Sequence, residues 1–138
     1  MADVGEASTS RSKKVIVIGI DSSSESLYSL EWTIEHLIPS CESHFRIILV
    51  HVKVPALSIL RFSGPGVGDV VPLVEKDIKK TAGVVTQKAK EYCESKSVDD
   101  FEVEVVEGDA RNSLCEAVDK HHADILVVGS HGYGAFKR

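Results

Sequence analysis

Two glycines follow an apolar run near the end of the chain. Their spacing suits ligand binding better than that of any other residues in the sequence. The apolar residues from Ile125 to Val128 are followed by Gly129 and Gly132, a pattern typical of a buried parallel strand that ends in a loop with little side-chain bulk. The backbone of such a loop can approach a phosphate group closely. Because open α/β sheets bind ligands at the carboxyl ends of their strands, this pattern predicts nucleotide binding.

Asp21 and His51 also come at the ends of apolar runs, at the same edge of the expected sheet. Asp21 is either a ligand-binding carboxylate or a cap for the helix that the following serines begin. His51 has no carboxylate or nucleophile spaced to partner it, so a structural histidine is favoured over a catalytic one. The two glycines also have a structural alternative, since they can simply permit a tight turn after the strand.

Other polar groups give weaker signals. Ser130 and His131 do not form the G-x-S-x-G pattern of a hydrolase, because Gly129 directly precedes the serine. His121 and His122 are expected to be exposed groups at a helix end, and a metal site there would need further ligands. The chain is therefore expected to bind a ligand without a dedicated catalytic centre.

The elements that must position these residues alternate between strand and helix patterns. Short β-branched runs predict strands at 14–20, 45–52, 101–106 and 124–128. Helical periodicity predicts a helix from one of Ser22 to Ser24 until just before Pro39, a long helix with an apolar face from Val71 to Cys93, and a short helix through Leu114 and Val118. Parallel strands joined by right-handed crossovers predict an open, doubly wound, Rossmann-like α/β sheet of order β-α-β-α-β-α-β.

The strand patterns also predict positions within the sheet. The segment 101–106 alternates between apolar and polar residues, as a strand near a sheet edge does. The first and last strands should meet where the strand order reverses, which brings Asp21 and Gly129 together. Residues 53–72 contain Pro55 and scattered glycines, and this composition predicts a long loop of the functional kind.

Composition narrows the class of protein. A chain of 138 residues with 43% hydrophobic and 6% aromatic residues suits one aliphatic α/β domain at 13–138 after a flexible tail at 1–12. The net charge of -5 argues against nucleic-acid binding, and no apolar run suits a membrane or a secretory signal. Three cysteines without C-x-x-C spacing favour a reducing compartment, so a cytoplasmic location is expected and a nuclear one is left open.

The motifs together resemble the universal stress protein family, most closely its plant members with one small domain. The resemblance covers the chain from Lys13 onward. It is carried by Val17-Ile-Gly-Ile-Asp21, His51-Val52, Gly108-Asp-Ala-Arg111 and the segment from Ala123 to Gly132.

The resemblance implies a binding site for ATP or AMP. In the family's ATP-binding branch a G-x2-G-x9-G-[ST] motif surrounds the phosphates and ribose, an acid after the first strand holds ribose or metal, and a valine ending the second strand contacts adenine. By this resemblance Asp21 would also hold Mg²⁺ or Mn²⁺. The implied cofactor-binding residues are Ile20, Asp21, Val52, Val128, Gly129, Ser130, His131 and Gly132.

The chain departs from the family pattern at its carboxyl end. The third glycine of the motif would lie beyond Arg138, together with the final helix and strand of the family fold. We therefore expect a C-terminally incomplete domain, weakened nucleotide binding and the loss of the strand through which many relatives form a homodimer. The resemblance predicts a nucleotide-binding module of the stress response with at most weak ATP hydrolysis. The alternative is a nucleotide-independent interaction or chaperone-like protein.

Overall fold

A four-stranded parallel sheet forms the centre of the computed structural model, which describes residues 13–38, 45–60 and 69–130. The elements in chain order are β1 (Lys14–Gly19), α1 (Ser24–His36), β2 (Phe45–Lys53), α2 (Ala56–Leu60), α3 (Val71–Ser95), β3 (Phe101–Glu107), α4 (Ala110–His121) and β4 (Ile125–Val127). The strand order is β3-β2-β1-β4, and every neighbouring pair is parallel. The predicted Rossmann-like α/β sheet is confirmed.

Both faces of β1 are buried, which explains its continuous apolar sequence. Ile16 and Ile18 belong to a core cluster with residues of α1 and α3. Val17, between them, points to the other face and packs in a cluster with Ala117 of α4. Burial of an isoleucine or valine side chain stabilises a fold by about 1.5–3 kcal/mol, so the two layers of helices are held mainly by these aliphatic contacts.

The third strand lies at an edge of the sheet, as its alternating sequence predicts. β3 pairs only with β2 among the described strands, and Val105 remains 44% exposed. β1 lies between β2 and β4, so the predicted meeting of the first and last strands is confirmed. The carboxyl ends of β1, β2 and β4 therefore share one edge of the molecule.

The segment predicted as a loop at 53–72 is partly helical, and the prediction is wrong in that part. β2 continues to Lys53, α2 begins at Ala56, and α3 begins at Val71. Pro55 sits just before α2 and its carbonyl accepts a hydrogen bond from the Ser58 amide at 3.0 Å. The side chain of Ala56 is buried and α2 contacts α3, so tertiary packing stabilises a helix too short to form alone.

Several predictions fall outside the described residues. They concern the tail at 1–12 and the site residues His131 and Gly132. The predicted end of the first helix before Pro39 is confirmed, because α1 ends at His36 with Leu37 as its C-cap. Among the residues that are described, no helix combines the length and the apolar character of a membrane span.

Candidate functional site

A cleft of about 410 Å³ opens at the carboxyl ends of the central strands. It is formed by the ends of β1 and β2, the first turns of α4 and the residues after β4. Five of the predicted site residues line it, namely Ile20, Asp21, Val52, Val128 and Gly129. A volume of this size lies in the range of roughly 300–1,000 Å³ that small-molecule sites occupy. Four separate parts of the chain thus converge on one concave surface.

Asp21 is held in the turn between β1 and α1 by a small network of serines. Its Oδ1 accepts hydrogen bonds from the Ser23 amide at 2.8 Å and the Ser23 hydroxyl at 2.5 Å, and its amide donates to the Ser26 hydroxyl at 2.8 Å. Ser23 is the cap of α1, since its hydroxyl accepts from the Ser26 amide at 3.1 Å. The prediction of a serine cap is confirmed, and the alternative of Asp21 as the cap is wrong.

His51 has a structural role. Its side chain is buried, and its Nδ1 lies 2.9 Å from the carbonyl oxygen of Ile20. Since a carbonyl only accepts, Nδ1 carries the proton and donates it. The Ile20 amide in turn donates to the Val50 carbonyl at 2.8 Å. These two bonds extend the pairing of β1 with β2 and keep Asp21 on the same edge as Val52, so the prediction of a structural histidine is confirmed.

Gly129 is required by close packing of two backbone segments. A Cβ atom at this position would lie 2.5 Å from the Glu25 carbonyl oxygen and 2.6 Å from the Glu25 carbonyl carbon. Among the described glycines only Gly108 has a positive φ, of 148°, so no left-handed backbone demands glycine at 129. The absence of a side chain therefore allows the segment after β4 to lie against the first turn of α1.

The structure separates one predicted residue from the others. Ser130 does not line the cleft. It lines a neighbouring groove of about 360 Å³ beside Tyr28 and Trp32, and Val128 and Gly129 form the boundary between the groove and the cleft. The remaining two predicted residues, His131 and Gly132, lie outside the described part of the chain.

Arg111 is the main cleft residue that sequence reasoning missed. It lies in the first turn of α4, after the N-cap Asp109, and it lines the cleft together with Leu114 and Ser26. The signal was present, because Arg111 follows the Gly108-Asp109 turn at the end of the third strand. Arg111 is a basic residue in the lining of a cleft that also contains the carboxylate of Asp21. A guanidinium suits the recognition of phosphate oxygens.

A preformed metal site is not found in the described ranges, where no group of three or more His, Cys, Asp or Glu side chains could hold an ion. Asp21 contributes a single carboxylate to the cleft. This arrangement still fits Mg²⁺, which usually takes one or two protein carboxylates and completes its octahedron with water and substrate phosphates.

Comparison with known proteins identifies the family. The family model described as "Universal stress protein family" matches residues 13–138. The chain belongs to the universal stress protein family. A universal stress protein A-like protein from Arabidopsis thaliana is 27% identical to this universal stress protein over 118 residues, covering 80% of the chain and 63% of that relative. The chain therefore spans less than two thirds of the length of this curated relative.

Solved universal stress proteins share the fold. UspA from Lactobacillus plantarum superposes with a TM-score of 0.68 at 13% identity, over 91% of this chain and 83% of its own. A family member from Arabidopsis thaliana, solved with AMP bound, superposes with a TM-score of 0.66 at 23% identity, over 88% of this chain and 79% of its own. At such identities the likeness establishes the α/β architecture.

Proposed function

We propose that this universal stress protein binds an adenine nucleotide, ATP or AMP, in the cleft at the carboxyl ends of β1 and β2. The observation that carries the proposal is the convergence of Ile20, Asp21, Val52, Val128 and Gly129 on one cleft of about 410 Å³. The Arabidopsis relative solved with AMP bound supports the choice of an adenine nucleotide.

The apolar side of the cleft suits the base. Val52 and Leu114 are partly buried there, while Val54 and Val128 are 40% and 53% exposed. A flat adenine ring would cover this apolar surface, and each Å² removed from water contributes about 25 cal/mol. The apolar surface between these side chains therefore favours a base over a purely polar ligand.

The polar side suits the ribose and phosphates. Arg111 would donate to phosphate oxygens, and the exposed backbone around Gly129 would lie beside them. Asp21 repels phosphate, so its carboxylate would accept from ribose hydroxyls or bind Mg²⁺ or Mn²⁺ that accompanies ATP. The ion would neutralise phosphate charge.

The proposed role is binding, with at most weak ATP hydrolysis. His51 is buried with its Nδ1 on the carbonyl of the cleft residue Ile20. A binder of this kind would report nucleotide state to partner proteins in the stress response. The cleft itself offers Asp21 and Arg111 for charge interactions, and these suit recognition better than activation of a water molecule.

Calorimetric titration with AMP and ATP tests the proposal. Arg111→Ala should weaken ATP binding about tenfold, because a charge-assisted hydrogen bond is lost, and AMP binding by less. Asp21→Ala should weaken the binding of both nucleotides, because the contact with the ribose is lost. It should also reduce any effect of Mg²⁺ on ATP affinity. The matched control is Lys90→Ala, an exposed lysine of α3 away from the cleft, which should bind like the wild type. An equal loss with Lys90→Ala, or no saturable binding by the wild type, contradicts the proposal.

The groove beside the cleft favours a second candidate function, a nucleotide-independent interaction of the chaperone kind. Tyr28 and Trp32 line it and are 64% and 42% exposed. Under this alternative Trp32→Ala would reduce protection of an aggregating client such as reduced insulin, and nucleotide would have no effect. Protection that is unchanged by Trp32→Ala excludes this function for the groove.

A further inference from the structure

A second cleft lies on the opposite side of the sheet from α4, between α1 and α3. Its volume is about 490 Å³. The first cleft is lined by α4, whereas the second is lined by one face of α3. The two clefts share Ile20, Asp21 and Ser26 at the β1–α1 turn, but they open on different helices.

The floor of the second cleft is apolar. Leu30 and Val85 are buried there, Leu27 is partly buried, and Val84 is 49% exposed. Val84 and Val85 both line the cleft from α3. When an apolar ligand covers a half-exposed apolar side chain on a concave surface, the removal of that surface from water favours binding.

Two lysines flank this apolar floor. Lys80 and Lys88 line the cleft and lie eight residues apart, one turn before Val84 and one turn after it. The ion pairs within the described residues involve Lys13, Arg46, Lys120 and His121 as cations, so neither cleft lysine is paired there. Both are exposed.

The acids of the second cleft lie to one side of the lysine pair. Asp77 precedes Lys80 by about one turn of α3, and Asp21 lies in the serine network of the β1–α1 turn. The two lysines, and not the acids, therefore border the apolar stretch of Val84 and Val85. A ligand that lies on this stretch meets a positive charge at either end.

We propose that the second cleft binds small apolar carboxylates. The apolar body would lie on Leu27, Val84 and Val85, and the carboxylate would pair with Lys80 or Lys88. A neutral apolar molecule would gain only the first of these contacts, and a small polar anion only the second. The proposal does not depend on nucleotide binding in the first cleft.

A titration with naphthalene carboxylate followed by methyl NMR tests the site. We expect saturable shifts of the Leu27, Val84 and Val85 methyl signals. Naphthalene carboxamide, which has the same shape without the charge, should bind about fivefold more weakly, as expected for one exposed ion pair. The same loss is expected for the carboxylate with the double variant Lys80→Ala, Lys88→Ala.

The matched control is the double variant Lys79→Ala, Lys90→Ala, which removes two exposed lysines of α3 that do not line the cleft. It should bind the carboxylate like the wild type. All four positions are exposed on a helix and alanine is a strong helix former, so both variants should fold. Equal losses in the two double variants, equal binding of carboxylate and carboxamide, or shifts confined to Val52, Leu114 and Val128 would overturn the proposal.

Discussion

At the scale of single residues, the cleft depends on how the β1–α1 turn and the segment after β4 meet. Ser23 caps α1 and also donates to Asp21, so the helix start and the position of the acid are determined together. Gly129 lies against the Glu25 backbone on the other side of that turn. A change in either place should alter both the helix start and the cleft.

We expect Gly129→Ala to destabilise the protein by about 1–3 kcal/mol, the usual cost of overpacking. The new Cβ would lie 2.5 Å from the Glu25 carbonyl oxygen, and backbone on both sides must move apart. The free energy of unfolding in urea measures the effect. Ser130→Ala, at the exposed next position, is the control and should leave stability unchanged. Equal stability of the wild type and Gly129→Ala would mean that the segment moves without cost.

At the scale of elements, α3 carries the stripe that covers one face of the sheet. Ala82, Val85, Ala89 and Cys93 are its buried residues, as the helical periodicity predicted. Burial raises the pKa of the Cys93 thiol to about 12, and Glu94 adds to the effect. This thiol therefore stays protonated and serves as a small apolar group in the core.

Gly83 lies on the exposed face of α3, where a Cβ would meet nothing within 4 Å. Gly83→Ala should therefore stabilise the protein by about 1 kcal/mol, because glycine is a poor residue for a helix interior. Thermal and urea unfolding measure the gain. In Gly19→Ala, the control, the Cβ would lie 3.1 Å from the Leu114 side chain and no gain is expected. A loss of stability in Gly83→Ala would contradict the helix argument.

At the scale of the whole molecule, Glu104 joins the edge strand β3 to the end of α4. Its Oε2 accepts from Lys120 at 3.1 Å and from His121 at 2.8 Å. The prediction that His121 is exposed is wrong, since its side chain is only 15% exposed, whereas His122 is exposed as predicted. Burial by itself would raise the pKa of Glu104, but the hydrogen bonds from Lys120 and His121 outweigh it and lower the pKa.

This lowered pKa predicts a pH-dependent contribution to stability. A carboxyl whose pKa is lower in the folded state stabilises the fold above its unfolded pKa of about 4.3, and the contribution is lost as pH falls through the folded value. Glu104→Gln should therefore cost about 1 kcal/mol at neutral pH, and the difference from the wild type should shrink on acidification below that unfolded pKa. Urea unfolding across this range measures it.

The control for this prediction is Glu116→Gln, an exposed carboxyl of α4. It should change stability little at any pH, because no hydrogen bond or ion pair to its side chain is present in the described structure. A Glu104→Gln difference that stays constant with pH would contradict the assignment of the effect to ionised Glu104.

The sequence by itself determined the alternation of strands and helices and the edge at which the site lies. The continuous apolar run Ile16–Ile18 and the helical stripe of α3 are patterns within short segments, and burial imposes them locally. Because parallel strands bring their carboxyl ends together, the sequence placed Asp21, Val52 and Gly129 at one edge of the sheet, and the family resemblance added the ligand role of Val52.

Only the tertiary structure decided how distant segments touch. It brought Arg111 into the cleft, turned Ser130 to the neighbouring groove, packed Gly129 on Glu25 and joined His121 to Glu104. These contacts depend on register and on how helices cross the sheet, and a local pattern does not contain this information. The physical reason is that such contacts join residues far apart in sequence, whose relative positions follow from packing of the whole core.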